Sequence, residues 1–144
     1  MFKENLNKVL VKDVMISPVI TIRDTDDFHV VRDKFAAHDI RHLPVVEEHG
    51  VLVGLITQRT LYKIHSPRKL EDGSWYYDKD LLDGFILKNV MIKDPFTLKA
   101  ENTLLEAIEA VCQFKLGSIP VVDDLRRPVG ILTRGDILTF FLIK

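Results

Sequence analysis

The stretches LPVV at residues 43–46 and VGLIT at residues 53–57 decide the fold, because both return 76 positions later as IPVV at 119–122 and VGILT at 129–133. The correspondence runs through both copies without an insertion. A repeat at a fixed period marks a duplicated supersecondary unit, and such units bury their apolar faces against each other. The sequence therefore predicts a pseudo-twofold pair of units with two equivalent clefts.

Each copy is predicted to have the element order β-α-β-β-α. In the second copy the pattern predicts a strand at 96–98, a helix capped by Asn102 or Thr103 and ended by Gly117, strands at 119–122 and 129–132, and a helix from Thr133 to Leu142. In the first copy it predicts a strand near 19–22, a helix over 26–38, strands at 43–46 and 51–56, and a helix after Thr57.

The predicted fold class is α/β, with α+β character. The last two strands of each unit form an antiparallel hairpin, and the first strand reaches them by a right-handed helical crossover. Helices cover one face of each sheet, so we expect the two units to pack sheet to sheet through their other faces. The predicted divisions are a first unit over residues 9–65, an inter-repeat loop over 66–84 and a second unit over 85–142.

The inter-repeat loop carries three consecutive aromatic residues, Trp75, Tyr76 and Tyr77. Two interpretations remain open for them. They seal the edge of the fold, or they form an interface with another subunit or an effector protein, since aromatic residues are enriched at interfaces.

Charge and cysteine content indicate the general class of protein, although a local basic patch is compatible with them. The net charge of −1 gives no general reason to expect nucleic acid or an acidic membrane as a partner. The single Cys112 cannot form an internal disulfide and is expected to be a small buried apolar group, which suits a reducing cytosol. Neither a signal-peptide core nor an apolar run of membrane-spanning length is present. We therefore expect a cytoplasmic protein without membrane insertion.

Three motifs recur in order in both copies. They are VM…PVIT at 14–21 with VM…PFT at 90–97, LPVV with IPVVD at 119–123, and GLIT at 54–57 with GILTRGD at 130–136. Together they resemble a tandem pair of cystathionine-β-synthase (CBS) domains, also called a Bateman module. The resemblance covers nearly the whole chain. It implies a regulatory module, often a homodimer, that binds an adenosine-containing ligand such as AMP, ADP, ATP or S-adenosylmethionine.

The turn GILTRGD suits an adenine nucleotide on chemical grounds. Gly130 would let the backbone approach a ligand. Thr133 stands at a helix N-terminus, which favours an anion such as phosphate, and Arg134 adds a positive charge. Asp136 can accept hydrogen bonds from both ribose hydroxyls. The pattern Thr-x-x-Asp is equally typical of a capping box that only satisfies the first helical turn, and the two roles are compatible.

Further site residues are implied by the family resemblance. The adenine would lie between apolar walls from Val19, Ile40, Leu116 and Ile131, with backbone near Val14 to Ser17 at its edge; each of these residues is equally compatible with a place in the core. The matched motifs also include Pro18 and Gly135.

Arg41 and His42 are expected either near the phosphates or as a solvated surface pair. The second copy has Gly117 and Ser118 at these positions, so the positive charge is one-sided. If His42 contacts phosphate, its pKa should rise and binding should weaken as the pH climbs past 7.

The first copy departs from the pattern. Its turn has Thr57, Arg59 and Thr60, and the neutral Thr60 stands where the second copy has Asp136. A hydroxyl cannot make the charge-assisted bonds of a carboxylate. We therefore predict unequal sites, with the site at Thr60 weak, empty or specialised for another ligand.

Other functions fit the sequence less well. His38 and His42 are four residues apart, but no cysteine pair or carboxylate cluster completes a metal shell, and no metal is expected. No nucleophile elbow, Cys/His pair or phosphate-binding glycine loop indicates an enzyme, so no catalytic residue or catalytic cofactor is expected. The prediction is a sensor of an adenine nucleotide that modulates a partner protein in trans. The alternatives are a ligand-free dimerisation module and an S-adenosylmethionine sensor.

Overall fold

The computed structural model of the protein describes residues 2–65, 68–69, 71–76 and 86–143. The helices are α1 Phe2–Leu6, α2 Phe28–His38, α3 Gln58–His65, α4 Leu87–Val90, α5 Leu104–Phe114 and α6 Arg134–Ile143, with a 3-10 turn at Val11–Asp13. The strands are β1 Ile22–Arg23, β2 His42–Val46, β3 Leu52–Thr57, β4 Arg68–Lys69, β5 Trp75–Tyr76, β6 Ile92–Lys93, β7 Ser118–Val122 and β8 Pro128–Thr133.

The two hairpins are copies of each other in register. β2 pairs antiparallel with β3, and β7 pairs antiparallel with β8. Each hairpin has its register shift at the same place, after Val45 in one copy and after Val121 in the other. β1 runs parallel to β2 and reaches it through α2. The predicted pair of β-α-β-β-α units in a mixed α/β fold is confirmed.

Both first strands are shorter than the sequence predicts. In the first copy the strand begins only at Ile22. In the second copy the stretch at 96–98 contributes one parallel bridge, from Leu98 to Val121. The Leu98 N–H donates to the Pro120 carbonyl at 3.2 Å, and the Val122 N–H donates to the Leu98 carbonyl at 2.9 Å. These segments therefore dock at one edge of the hairpin over only one or two residues.

Both faces of each hairpin are buried. Leu43, Val45 and Ile56 pack with the apolar side chains of α2 and α3. Since neighbouring strand residues point to opposite faces, the cross-strand pair Pro44 and Leu55 faces away from these helices, yet it is also buried. The second copy repeats this arrangement, and the apolar side chains of α5 and α6 cover its helical face.

Each copy extends a crossing segment over the hairpin of the other, residues 15–17 from the first copy and residues 91–93 from the second. Ile16 forms an antiparallel bridge with Ile131, with N–H···O distances of 2.9 and 3.1 Å. At the equivalent place, β6 pairs with β3 and puts Ile92 beside Leu55. The two units are therefore joined by main-chain hydrogen bonds as well as by apolar contacts.

Gly130 is needed for this crossing, a role that the sequence did not indicate, and its expected approach to a ligand stays a prediction. A Cβ atom at Gly130 would lie 2.5 Å from the Met15 sulfur and 3.0 Å from the Ile16 carbonyl oxygen. The space above the glycine is therefore filled by the crossing segment of the first copy. Gly54 has the same relation to Met91 and Ile92.

The predicted N-cap of α5 is confirmed for Thr103, whose hydroxyl accepts from the Glu106 N–H at 3.1 Å. The predicted end of this helix at Gly117 is wrong. The helix ends at Phe114, and Lys115 takes the left-handed conformation with φ of 55°. Asp39 ends α2 in the same way, with φ of 49°.

Cys112 is exposed, so the prediction that it is buried is wrong. The buried face of α5 carries Leu104, Ala107 and Ala110 at a spacing of three residues. Because Cys112 follows Ala110 by two positions, it turns away from that face.

The inter-repeat segment contains a two-residue ladder in its described part. β4 pairs antiparallel with β5, with Arg68 opposite Tyr76 and Lys69 opposite Trp75. Tyr77 lies outside the described residues. Whether the three aromatic residues seal the fold or contact a partner stays a prediction.

Candidate functional site

A cavity of about 500 Å³ opens between the two copies, and we refer to it as the inter-copy cleft. The first copy lines it with Ile16, Pro18, Val19, Ile20, Asp39, Ile40, Arg41 and His42, and the second copy with Gly117, Ile131, Thr133, Arg134 and Gly135. Residues 16 and 18–20 supply its apolar lining. The residues between α2 and β2 form one wall, and the start of α6 forms the opposite wall.

Most of the site residues predicted from the sequence meet in this cleft. They are Pro18, Val19, Ile40, Arg41, His42, Ile131, Thr133, Arg134 and Gly135. Ile16 belongs to the stretch from Val14 to Ser17 that was expected at the edge of the base, and it also lines the cleft. The sequence reasoning missed Ile20, Asp39 and Gly117. Two signals were available: Ile20 continues the apolar run of Val19, and Gly117 is the repeat counterpart of Arg41.

Four predicted residues lie elsewhere. The Ser17 hydroxyl donates to the Val129 carbonyl at 3.0 Å, so it joins the copies. Leu116 packs against the core of the second copy. Val14 and Asp136 line a smaller cavity of about 260 Å³, together with Asp13, Thr139, Phe140 and Ile143.

The start of α6 is closed by a capping box. The Thr133 N–H donates to Asp136 Oδ2 at 2.9 Å, and the Asp136 N–H donates to the Thr133 hydroxyl at 3.1 Å. The capping interpretation of the sequence is therefore correct for these two residues. Because the same box ties Asp136 to a residue that lines the inter-copy cleft, its carboxylate is held within one helical turn of that cleft.

The sister turn in the first copy has the same geometry without a carboxylate. The Thr60 N–H donates to the Thr57 hydroxyl at 3.3 Å, and the two hydroxyl oxygens lie 3.1 Å apart. Gln58 stands at the place of Arg134, and the exposed Arg59 stands at the place of Gly135. The two turns therefore differ in charge at every position that follows the threonine.

Positive charge collects at one end of the inter-copy cleft. Arg41 and Arg134 both line it together with His42, and both act electrostatically on that histidine. Neither arginine forms an ion pair with a carboxylate of the residues the structure describes. Among the described lining residues, Asp39 is the single carboxylate. The cleft therefore offers an anion two guanidinium groups that are not ion-paired in the described part of the chain.

His42 is half-buried at the start of β2. Burial lowers its pKa below the ordinary value of 6.5, and the charges of Arg134 and then Arg41 lower it further. Its Nδ1 atom is buried and has no hydrogen-bond partner among the described residues. The imidazole is therefore favoured in its neutral form.

Gly117 makes room for this imidazole. A Cβ atom at residue 117 would lie 3.0 Å from His42 Cε1 and 3.6 Å from Arg134 Nη2. The Gly117 carbonyl also accepts from the Arg134 N–H at 3.1 Å. The absence of a side chain at this repeat position therefore lets His42 and the start of α6 come together.

Among the residues that the structure describes, no three side chains of His, Cys, Asp or Glu are grouped so that they could hold a metal ion. No helix within the described ranges combines the length and the apolar character needed to cross a bilayer.

The sequence profile of the CBS domain matches the chain twice, at residues 11–66 and 87–143. A CBS domain-containing protein of Dictyostelium discoideum is 31% identical, and the match covers 94% of this chain and 92% of that protein. The L-aspartate semialdehyde sulfurtransferase of Methanocaldococcus jannaschii is 30% identical over 92% of this chain, which spans only 23% of that enzyme.

Among solved structures, the CBS domain pair of protein MJ0100 in complex with 5′-methylthioadenosine and S-adenosyl-L-methionine is similar to this chain. The TM-score is 0.77 and the sequence identity is 28%. The superposition covers 92% of this chain and 95% of that one, so it includes both copies.

Proposed function

This chain belongs to the CBS domain family, and on that premise we propose that it is a regulatory module that binds an adenine nucleotide, AMP, ADP or ATP, in the inter-copy cleft and thereby modulates a partner protein. The observation that carries the proposal is the pair Arg41 and Arg134, which line the cleft beside the start of α6 and form no ion pair within the described ranges. An adenosine-type ligand is also what the similar MJ0100 pair holds.

We assign the phosphate end of the ligand to the wall formed by α6. The first N–H groups of a helix have no partner inside it, and the helix dipole favours negative charge there. At α6 the Arg134 N–H donates to the Gly117 carbonyl and the Asp136 N–H to the Thr133 hydroxyl, so the Gly135 N–H is the group assigned to the anion. Thr133 and Gly135 bring this backbone to the cleft, and Arg134 adds a guanidinium that can bind phosphate through two parallel hydrogen bonds. Arg41 closes the same end from the first copy.

We assign the base to the apolar part of the cleft, between Val19 and Ile40 of the first copy and Ile131 of the second. The volume of about 500 Å³ lies within the usual range for small-molecule sites. A ribose placed at Thr133 would come within one turn of Asp136, whose carboxylate suits the two sugar hydroxyls. Replacement of the capping bond to Thr133 would free Oδ2 for this contact.

Residues from both copies line the cleft, so the affinity for a ligand depends on how the two copies are arranged. It can change a partner only through its differential affinity for two such arrangements. We further propose a homodimer. The side chains of Leu138 and Leu142 lie on the outer face of α6 and are 68% and 87% exposed, which a second copy of the chain would cover.

The second candidate is an S-adenosylmethionine sensor, which the ligands of the MJ0100 pair favour. The charge of the cleft argues against it, because the sulfonium cation of that ligand would lie near two unpaired guanidinium groups. A catalytic role has little support, since the chain covers 23% of the matched sulfurtransferase.

The test is a calorimetric and thermal-shift panel of AMP, ADP, ATP, adenosine and S-adenosylmethionine. At 100 times the Kd, a bound nucleotide should add roughly 2.7 kcal/mol of stability. For a chain of this size, that corresponds to a rise in Tm of several degrees. Tightest binding of S-adenosylmethionine would favour the second candidate. No shift with any of the five compounds would leave a ligand-free structural module.

Replacing Asp136 by asparagine should weaken AMP binding by about tenfold or more, since one charged hydrogen bond contributes about 1.5–3 kcal/mol. Asparagine keeps an oxygen for the Thr133 N–H, so the cap and the fold are retained. Calorimetry provides the measurement. Asp123→Asn is the control, because Asp123 also accepts backbone N–H groups but lies in the turn of the second hairpin. Equal affinities in wild type and Asp136→Asn would mean that the Asp136 carboxylate does not bind the ribose hydroxyls.

The reciprocal change, Thr60→Asp, places a carboxylate in the sister turn, where Thr57 already provides the capping hydroxyl. We expect the stoichiometry of AMP to rise from one site towards two per chain. Unchanged stoichiometry and affinity would mean that the two sites do not differ because of this residue.

A further inference from the structure

We propose that His42 takes up a proton when a phosphorylated nucleotide binds in the inter-copy cleft, so that affinity rises as the pH falls towards the acid side of neutrality. The inference rests on the proposed function and adds to it a chemical input, the proton. It makes His42 a positioning and selectivity residue for anionic ligands.

Among the described residues, the geometry leaves the His42 imidazole without a hydrogen-bond partner for its buried nitrogen. His42 begins β2 opposite the neutral Thr57 of β3, and its ring lies against Gly117 of the second copy. Its Nδ1 atom is buried without a partner. An unpaired buried polar atom is costly, and such atoms are rare in folded proteins. An anion in the cleft would place a counter-charge beside this ring and so lower the cost of protonating it.

The charges that face His42 come from three elements. Arg41 precedes it in its own chain segment, Arg134 faces it from α6, and Asp39 lines the same cleft from the end of α2. The first two are cations without an ion pair among the described residues, and Asp39 is exposed. Burial is the main cause of the lowered pKa of His42, and the third positive charge that an added proton would place beside Arg134 and Arg41 lowers it further.

A bound phosphate reverses this balance. A phosphate monoester carries about −1.5 to −2 charges at pH 7, and it would face both arginines. Its charge offsets the repulsion from Arg134 and Arg41 and favours the imidazolium, so the pKa of His42 rises on binding. Binding then takes up a proton.

The pH window follows from the two pKa values. In the free protein the pKa of His42 is lowered from 6.5. In the proposed complex the phosphate charge raises it. Between these values affinity rises as the pH falls, by at most about tenfold per pH unit for one proton. Below the free value His42 is protonated in both states, and above the bound value it is neutral in both, so the dependence disappears at each end.

The ligand itself contributes with the opposite sign. The second pKa of a phosphate monoester is about 6, and nearby arginines lower it, so the phosphate releases protons on binding. Net uptake of protons therefore identifies a group of the protein. The second copy has Ser118 at the position of His42, so the symmetry-related position carries no titrating side chain.

The experiment is calorimetry of AMP binding at pH 6.5 in two phosphate-free buffers that differ in ionisation enthalpy. We expect net uptake of a fraction of a proton by wild type, and loss of that uptake, or net release, in His42→Asn. His42→Gln is the second variant if His42→Asn does not fold. His38→Asn is the control, since His38 is an exposed histidine four residues away and should leave the uptake unchanged.

The outcomes separate the two proposals. Clear binding with the same heat in both buffers, for wild type and for His42→Asn alike, overturns the proton linkage and leaves the nucleotide function standing. Uptake that persists unchanged in both His42 variants assigns the proton to another group and also overturns it. Absence of binding with every nucleotide overturns the proposed function and the linkage together.

Discussion

The double substitution Arg41→Gln and Arg134→Gln is expected to weaken AMP binding by at least about a hundredfold, since each lost charged hydrogen bond costs about 1.5–3 kcal/mol. Both side chains line the inter-copy cleft, one from each copy, and neither has an ion pair among the described residues to compensate for its charge. Calorimetry at fixed ionic strength measures the effect, because the loss includes a salt-dependent part.

The matched control is Arg32→Gln with Arg126→Gln. These arginines also come one from each copy, but they pair with Asp33 and Asp94 at the surface. They are expected to leave AMP affinity within about twofold of wild type, because exposed ion pairs contribute little. Adenosine, which lacks the phosphate, should bind both double variants alike. A similar loss in both pairs would mean that overall charge, and not the cleft, attracts the nucleotide.

Gly130→Ala is expected to have the largest effect on folding, a loss of about 1–3 kcal/mol, as for other insertions into a packed space. The new methyl group would meet the Met15 sulfur and the Ile16 carbonyl oxygen. The sulfur can move, but the carbonyl belongs to the bridge with Ile131, so relief requires the crossing segment to shift. Urea denaturation measures the free energy of unfolding.

Gly135→Ala serves as the matched control. A Cβ atom there meets only the Thr133 hydroxyl, at 3.6 Å, and an alanine inside a helix is favoured over glycine by about 0.5–1 kcal/mol. We therefore expect the two alanine variants to change stability in opposite directions. An unchanged free energy of unfolding in Gly130→Ala would show that the crossing segment moves at little cost. Its contribution to holding the two copies together would then be weak.

The element order could be predicted because its signals are local and occur twice. The hairpins of the two copies share register and bulge, as identical turn spacings and apolar patterns require. The errors concern helix faces and ends. Gly117 looked like a helix stop, but Lys115 adopts the left-handed cap, and Cys112 looked like a core residue, but it turns away from the buried face.

The candidate site could be predicted in part. Thr133, Arg134 and Ile131 follow from one continuous motif, and all three line the cleft. Asp136 belongs to the same motif, yet it lines the smaller cavity, because the cap bond to Thr133 fixes its direction. Asp39 was not predicted, since no local pattern tells where a helix C-cap residue will point.

By itself, the amino-acid sequence determined the duplicated unit, its hairpins and the asymmetry between Asp136 and Thr60, because period, turn chemistry and side-chain charge are properties of short segments. Only the tertiary structure decided that Arg41, His42 and Arg134 converge on one cleft and that Gly130 accommodates Met15. These contacts join residues more than 90 positions apart, and their geometry depends on how two copies cross, which no local pattern encodes.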